Sequence, residues 1–189
     1  MPKENNPISQ NDHLGQVASF LKRVPKNQKQ EALDEALEHK SFGNWIKQSD
    51  LGQVASFLKG VPKDQKQGVL KKVLEGGSLN KCIEKSHLGG IASFLKGVSE
   101  DQKQKVLDKV LKHELLGDLV EKSDLGQVAS FLKELSEDQK QNVLDQVLGG
   151  VLFDKCIEKS YLGGIASFLK ELSEDQKQKV LDKVLKHVL

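Results

Sequence analysis

Residues 14–22 read Leu-Gly-Gln-Val-Ala-Ser-Phe-Leu-Lys, and close copies of this stretch recur at intervals of 37 residues along the 189-residue chain. The copies begin at Leu14, Leu51, Leu88, Leu125 and Leu162. A fixed period between about 20 and 50 residues is typical of stacked supersecondary units, each of which cannot bury its apolar face alone. The repeat therefore predicts a row of similar units rather than a compact enzyme domain.

The quoted stretch has the apolar spacing of a helix. In the third copy the apolar positions are Leu88, Ile91, Ala92, Leu95 and Val98. Intervals of three and four residues are typical of the buried face of an amphipathic helix. Ser86 stands two residues before Leu88 and is a candidate N-cap, because a serine hydroxyl accepts a hydrogen bond from a free backbone N–H of the first turn.

A second helix follows in each repeat. Ser99 and Gln102 have the spacing of a capping box, in which each side chain bonds the other residue's backbone N–H, and the fourth and fifth repeats carry the same box. In the first two repeats Pro25 and Pro62 replace the serine, and proline suits a first helical turn. The buried face of this helix is predicted at Val106, Leu107, Val110 and Leu111.

A shorter apolar segment completes each of the first four repeats. Its residues are Phe42, Trp45 and Ile46; Leu79, Cys82 and Ile83; Leu115, Leu116, Leu119 and Val120; and Leu152, Phe153, Cys156 and Ile157. This spacing predicts a third helix of about two turns, although the segment could instead run into the next first helix with a bend at the Lys-Ser junction. The predicted fold class is all-α, an α-solenoid of about five 37-residue repeats with two to three short helices per repeat.

The repeats define a single helical-repeat domain over residues 12–189, divided into repeats 12–48, 49–85, 86–122, 123–159 and 160–189. Residues 1–11 lie before the pattern and are expected to be a disordered N-terminal segment, without the apolar region of a secretory signal. No apolar run approaches the roughly 18 residues that span a bilayer, so no membrane association is expected. Residues 86–115 and 160–189 agree at 26 of 30 positions, which indicates a recent duplication. Because a recent duplication also preserves residues without a role, identity between repeats does not by itself indicate function.

The charge balance argues against recognition of nucleic acid or anionic membranes. The formal net charge is only +2 although 30% of the residues are charged, so the sum of charges leaves no electrostatic footprint for either partner. Arg23 is the only arginine. Lysine cannot reproduce the bidentate fork with which arginine recognises phosphate and guanine.

Two cysteines, Cys82 and Cys156, lie 74 residues apart. Because this separation equals two periods, we expect them to be too distant for a disulfide and to be free thiols. Sister repeats hold Trp45 and Leu119 in the same position, which indicates an apolar packing site. The cysteines and histidines form no zinc motif, so we predict no metal and no cofactor. Free thiols favour an intracellular, cytoplasmic location.

The histidines form no catalytic set. Three of them end second helices, where the helix dipole favours positive charge: His39, His113 and His187. The other two, His13 and His87, precede first helices at a position that holds Asp or Tyr in the sister repeats. Such a position cannot be a repeated catalytic base, and no Ser-His-Asp or Cys-His set can be assembled. The sequence therefore predicts a protein that is not an enzyme.

Some polar residues are identical in all five repeats. They are Ser19, Ser56, Ser93, Ser130 and Ser167; Lys22, Lys59, Lys96, Lys133 and Lys170; and the Gln-Lys-Gln triplets at 28–30, 65–67, 102–104, 139–141 and 176–178. If neighbouring helices are packed 8–10 Å apart, such residues form rows that can follow an extended ligand. The alternative, which we prefer, is that they cap helices and pair with acidic neighbours. Lys59, Lys96 and Lys133 are candidate contacts for a partner.

Two positions three residues apart vary from repeat to repeat. The pairs are His13/Gln16, Asp50/Gln53, His87/Gly90, Asp124/Gln127 and Tyr161/Gly164. Residues three apart lie on one face of a helix, and variable surface positions on a constant frame are where repeat proteins encode specificity. His13, Gln16, Asp50, Gln53, His87, Asp124, Gln127 and Tyr161 are therefore candidate partner-binding residues. Drift after duplication explains the variation equally well.

The order of these motifs resembles that of the Pumilio-type repeat. The segment Ser-Glu-Asp-Gln-Lys-Gln-Lys-Val-Leu-Asp at 99–108, the short Leu-rich helix after it, and Leu-Gly-Gln-Val-Ala-Ser at 125–130 follow one another as in that family. The resemblance implies a three-helix unit and, as an expectation, binding of single-stranded RNA. The family's base-stacking aromatic or arginine is replaced here by Gln53-Val54 or Gly90-Ile91, and stacking of bases needs such side chains.

The sequence is therefore consistent with two functions. The first is a non-enzymatic helical-repeat scaffold that binds a protein or peptide partner along its repeat surface. The alternative is binding of single-stranded RNA or DNA by a Pumilio-like helical array. The low net charge and the single arginine favour the first, whereas the row of lysines keeps the second open.

Overall fold

The computed structural model describes residues 12–75, 77–112, 114–149 and 151–188. Within these ranges the chain forms fourteen helices and no strand, which confirms the all-α class. The segment expected to be disordered, residues 1–11, lies outside the described residues. His113 and the side chain of His187 lie outside them as well.

The chain divides into two compact units, Met1–Lys85 and Ser86–Leu189, at the predicted boundary between the second and third repeats. The first unit contains α1 Leu14–Arg23, α2 Lys29–Glu38, α3 Phe42–Gln48, α4 Leu51–Leu58, α5 Lys63–Leu74 and α6 Ser78–Lys85. The second contains α7 Leu88–Leu95, α8 Glu100–Val110, α9 Glu114–Glu121, α10 Leu125–Leu132, α11 Glu137–Leu148, α12 Val151–Glu158, α13 Leu162–Leu169 and α14 Glu174–Val188.

Each repeat places its helices in the same order. The first helices of the five repeats are α1, α4, α7, α10 and α13, and the second helices are α2, α5, α8, α11 and α14. The third helices are α3, α6, α9 and α12. Each of them is separate from the next first helix, since α3 ends at Gln48 and the extended residue Ser49 precedes α4. This confirms a short third helix and excludes one that continues into the next repeat.

The helix starts agree with the predicted caps in most places. Ser99 and Ser136 are the N-caps of α8 and α11, and both form the predicted capping box. Pro62 is the N-cap of α5, but Pro25 is not part of the first turn of α2, which begins four residues later at Lys29. Ser86 is not the N-cap of α7, because His87 takes that role and the serine itself is buried.

Packing inside each compact unit joins helices of the same kind. In the first unit α1 packs on α4 and α3 on α6; in the second, α10 packs between α7 and α13, and α9 on α12. Glycine permits the closest of these approaches. A Cβ atom added to Gly126 in α10 would lie 3.1 Å from the Cα atom of Gly164 in α13, which is tighter than an ordinary contact. Gly126 belongs to a position that is glycine in all five repeats, and here the missing side chain permits close helix packing.

Most of the predicted core residues are buried, whereas Val98, Leu111, Leu115 and Leu152 are partly exposed. Phe94 and Leu107 are 1% and 3% exposed, and Trp45 is completely buried in α3. The side chain of His39 stacks on the Trp45 ring with 4.6 Å between the ring centroids, so this histidine serves packing as well as the end of α2.

Leu107→Ala tests this core. We expect the free energy of unfolding to fall by about 2–5 kcal/mol, because the substitution removes buried methyl groups and leaves a cavity. The matched control is Leu181→Ala, since Leu181 holds the same place in the fifth repeat but is 39% exposed. We expect the control to lose less than half as much stability. Urea denaturation followed by circular dichroism measures both, and equal losses would contradict the assigned buried face.

Candidate partner-binding surface

The variable pairs form the N-caps of the first helices. Asp50 accepts a hydrogen bond from the backbone N–H of Gln53 at 2.9 Å, and the Gln53 side chain accepts one from the backbone N–H of Asp50 at 3.1 Å. Asp124 accepts the corresponding bond from Gln127 N–H at 2.9 Å. A carboxylate at a helix N-terminus also interacts favourably with the helix dipole. Helix capping therefore accounts for the residue types at these positions.

The other members of the pairs are less uniform. The side chain of Gln16 accepts a hydrogen bond from the backbone N–H of His13 at 3.0 Å. The Nδ1 atom of His87 accepts from Gly90 N–H at 3.1 Å, which requires the neutral imidazole with its proton on Nε2. Tyr161 forms no side-chain cap and is 73% exposed.

Two of the variable glutamines contact the preceding first helix of the same compact unit. A Cβ atom added to Gly15 would lie 3.1 Å from Gln53 Cγ, and one added to Gly89 would lie 3.0 Å from Gln127 Cγ. The glutamine stems thus lie across the invariant glycines. Their role in binding a partner stays a prediction, whereas their role in helix packing follows from these distances.

The predicted rows of serine and lysine differ in availability. The hydroxyl groups of Ser19, Ser93, Ser130 and Ser167 donate to the backbone carbonyl four residues earlier, at 2.8–2.9 Å. These serines are already engaged within their own helices. Lys59, Lys96 and Lys133 are the C-cap residues of α4, α7 and α10, and their side chains are exposed. A cation suits the carboxyl end of a helix, so the lysine row has a local structural reason.

The Gln-Lys-Gln triplets are engaged inside the chain. The amide group of Gln65 donates to Asp34 in the neighbouring second helix at 2.8 Å. Gln104 donates to Asp108 at 2.7 Å, four residues along the same helix. Gln139 and Gln176 complete capping boxes with the serines three residues before them. The preferred interpretation, that these polar groups cap helices and pair with neighbours, holds for the triplets.

Buried serines between repeats were missed by the sequence reasoning. The hydroxyl of Ser123 donates to the carbonyl of Leu119 at 2.6 Å and accepts from the backbone N–H of Leu88 at 3.0 Å. Ser49 forms the same two bonds with Trp45 and Leu14. One serine, the first residue of the next repeat, therefore joins the end of a third helix to the start of the first helix of the same repeat. The signal was available, since a serine stands two residues before Leu51, Leu88, Leu125 and Leu162.

Ion pairs join consecutive repeats in the second unit. Lys103 Nζ lies 3.2 Å from Glu134, and Glu171 lies between two lysines, 3.8 Å from Lys133 and 3.6 Å from Lys140. The side chains of Lys103, Glu134, Lys140 and Glu171 are all less than one fifth exposed. Lower exposure reduces solvent screening relative to an open surface pair. In this unit, Lys103, Lys133 and Lys140 therefore each have a carboxylate beside them.

The first unit lacks the carboxylate at the corresponding place. Counting from the start of each repeat, Gly60 stands where Glu134 and Glu171 stand. The residues around Gly60 enclose a cleft of about 240 Å³ between α1 and α4. Its apolar part is formed by Ala18, Leu21 and Phe57, and its basic part by Lys22, Lys29 and Lys59. None of the described residues that line it is acidic.

The cysteines are free, as predicted, and completely buried. Burial raises the pKa of Cys82 to about 12 and that of Cys156 to about 11. The thiol of Cys82 donates to the carbonyl of Ile46 at 3.2 Å, and that of Cys156 to the carbonyl of Val120 at 3.3 Å. Both thiols stay protonated at neutral pH, and a thiol rather than a thiolate is a poor nucleophile and a poor metal ligand.

The described part of the chain contains neither a cluster of metal-ligating residues nor a membrane-spanning helix. No group of three or more His, Cys, Asp or Glu residues there is arranged to hold a metal ion. No helix in the same residues combines the length and apolarity that crossing a membrane requires.

Comparisons with protein-family models, with curated proteins and with solved structures found no match to this chain. The likeness to the Pumilio-type repeat therefore rests on the order of its motifs. Any functional conclusion has to come from the chain's own residues.

Ser123→Ala tests the hydroxyl bridge between repeats. We expect a loss of about 1–3 kcal/mol in the free energy of unfolding, because the buried N–H of Leu88 loses its acceptor. The control is Ser130→Ala, which removes a hydroxyl that bonds only within its own helix. We expect this change to stay within about 0.5 kcal/mol. Urea titration measures both variants, and a Ser123 variant as stable as the control would refute the bridge.

Proposed function

We propose that this chain is an α-solenoid of five 37-residue repeats that binds a protein or peptide partner along its repeat surface without catalysing a reaction. The repeated contacts between first helices and between third helices inside each compact unit support the solenoid. The partner class follows from the charges. It is a peptide segment that carries an acidic side chain next to an apolar one.

The proposal rests on Gly60, which occupies a position held by glutamate in the fourth and fifth repeats. In the second unit, Glu134 and Glu171 lie beside the lysines that are equivalent to Lys22 and Lys29. The chain supplies its own carboxylate at those two places. At Gly60 it supplies none, and the lysines border an apolar floor. A carboxylate from a partner fits this place, because the same arrangement of lysines already holds one elsewhere in the chain.

The apolar floor favours a peptide over a free anion. Ala18, Leu21 and Phe57 contribute to the cleft together with the aliphatic stems of the lysines, and lysine stems cover apolar surface while their ammonium groups stay in water. Charge-assisted hydrogen bonds to the carboxylate would orient the segment. Burial of a neighbouring apolar side chain would add affinity, at about 25 cal/mol per Å².

Carboxylates beside some of the repeated lysines argue against the nucleic-acid alternative. A strand of RNA needs a row of cations that track successive phosphates. In the second unit Lys133 lies near Glu171, and Lys103 and Lys140 lie near glutamates as well. A phosphate at these positions would meet a carboxylate. Lys59 and Lys96 are exposed, and this exposure still favours nucleic-acid binding.

Gly60→Glu tests the peptide site. The wild-type chain is used to select binders from a displayed peptide library, and labelled copies of the selected peptides are titrated by fluorescence polarisation. We expect the selected peptides to contain Asp or Glu. Their affinity for Gly60→Glu should be about tenfold or more lower than for the wild type, because the new carboxylate occupies the site of the peptide's own carboxylate. A hydrogen bond to a charged group contributes about 1.5–3 kcal/mol.

The control for charge is Gly43→Glu, since a side chain added at Gly43 meets nothing within 4 Å and this position lies in α3, outside the cleft. Its affinity should stay within about twofold of the wild type. Peptides without an acidic residue, or peptides that bind Gly60→Glu as they bind the wild type, would contradict the proposal.

The triple change of Lys59, Lys96 and Lys133 to Gln tests the nucleic-acid alternative. We expect oligo(U) and oligo(A) to bind more weakly than micromolar at physiological salt, with no change in the triple variant. If the lysines instead track phosphates, the wild type binds at micromolar concentrations or tighter. The triple variant then flattens the salt dependence by up to about 2 units, at about 0.7 per contact. Fluorescence anisotropy at several salt concentrations decides between the two.

A further inference from the structure

The last first helix has an uncovered apolar face. Leu162 in α13 is 78% exposed, whereas the equivalent leucines of the other four repeats are completely buried: Leu14, Leu51, Leu88 and Leu125. Ala166 is exposed too, although its equivalents are buried. Among the described residues, the exposed large apolar side chains are Tyr161, Leu162, Leu181 and Leu185. All four belong to the fifth repeat, and Leu162 and Ala166 form the exposed patch on α13. An exposed apolar patch of this kind marks an interaction surface.

The structure shows what covers the same face elsewhere in the second unit. Helix α7 has the sequence Leu-Gly-Gly-Ile-Ala-Ser-Phe-Leu, which is identical to that of α13. Its face is covered by α10, whose sequence is Leu-Gly-Gln-Val-Ala-Ser-Phe-Leu. In that contact the stem of Gln127 lies over Gly89, and Ser123 binds the backbone N–H of Leu88. At Gly163, the equivalent of Gly89, an added Cβ meets nothing within 4 Å.

The chain carries a second copy of the covering helix at its first repeat. The first eight residues of α1 are identical in sequence to α10. Phe20 in α1 is only half-buried. Its equivalents Phe57, Phe131 and Phe168, each in a first helix that packs on a preceding one, are 0–1% exposed. The side of α1 that corresponds to the packed side of α10 thus retains accessible apolar surface.

We propose that the chain associates head to tail, with α1 of a second copy packed on α13 of the first. This contact pairs the same two helix sequences as α7 with α10. Gln16 of the second copy takes the place of Gln127 over Gly163, and Phe20 takes the place of Phe131. Asp12 of the second copy stands at the serine position, two residues before Leu14, and its carboxylate is also an acceptor for the backbone N–H of Leu162.

One charge pair weakens this contact relative to those inside the chain. Between the third and fourth repeats Lys103 meets Glu134, and between the fourth and fifth Lys140 meets Glu171. At the proposed contact the corresponding residues are Lys177 and Arg23 of the second copy, which carry like charges. The association is therefore concentration-dependent and becomes tighter as salt screens the repulsion.

The contact is heterologous, because two different surfaces meet. A pair formed in this way still has a free α13 on one copy and a free α1 on the other. Association should accordingly continue beyond the dimer as the concentration rises, in contrast with a symmetric dimer, which closes on itself.

Sedimentation velocity of the 189-residue chain, from micromolar to millimolar concentration, tests the proposal. We expect the average sedimentation coefficient to rise with concentration. Gly163→Glu should abolish the rise, because the added side chain enters the contact but meets nothing in its own chain. Gly43→Glu is the control, with the same change at another open glycine, and should associate as the wild type does.

Arg23→Glu provides a gain of affinity. It restores the carboxylate that Glu134 and Glu171 supply inside the chain, and we expect association to tighten by about two- to thirtyfold, the effect of replacing an exposed repulsive pair with an attractive one. The salt dependence should reverse in this variant. A variant that associates no more tightly than the wild type would contradict the assigned register.

A mixing experiment tests the polarity of the contact. Gly163→Glu blocks α13, and Phe20→Glu blocks α1, so each variant alone should be monomeric and a mixture should form only a one-to-one dimer. Circular dichroism checks that Phe20→Glu is folded, and if it is not, the Gly163→Glu and Arg23→Glu results decide. A wild type that stays monomeric at millimolar concentration, or a Gly163→Glu variant that associates like the wild type, would overturn the proposal.

Discussion

The contact between consecutive first helices fixes the geometry on which the remaining structure of each compact unit depends. Its centre is an invariant glycine with the stem of a glutamine or a second glycine against it, as in Gly89 with Gln127 and Gly126 with Gly164. A buried serine hydroxyl at the edge of the contact bonds two backbone groups at once. Because unpaired backbone groups are costly to bury, this serine also fixes the register between one repeat and the next.

The packing of successive repeats determines which helix surfaces are buried inside the chain and which remain exposed to a partner. Inside each compact unit, a repeat packs its first helix on that of the repeat before it, and in the second unit Glu134 and Glu171 bring carboxylates to the preceding repeat's lysines. Two places within the units depart from this pattern. Gly60 supplies no carboxylate to the cleft of the first unit, and α13 has no described helix over Leu162. The two proposals, for a peptide and for a second copy, arise from these two departures.

Comparison of sister repeats is also what separates structural residues from candidate binding residues. The predicted pairs at Asp50/Gln53 and Asp124/Gln127 cap helices, and the glutamine stems contact the preceding first helix. The serine row bonds to its own helices. The aspartate carboxylates, the glutamine stems and the serine hydroxyls all contact groups of the chain itself, so they do not require a ligand. Gly60, which no sequence argument singled out, matters only because of the lysines that surround it.

The sequence alone determined the helical class, the 37-residue repeat, the capping boxes at Ser99 and Ser136 and the burial of both cysteines, because these follow from local spacing and from positions compared between repeats. Only the tertiary structure decided the roles of Ser123, Gly60 and Leu162. Each of these roles depends on which residue of another repeat lies opposite, and that distance is set by helix packing. Spacing along the chain identifies the face of a helix, whereas the neighbour across that face is defined only when the helices pack.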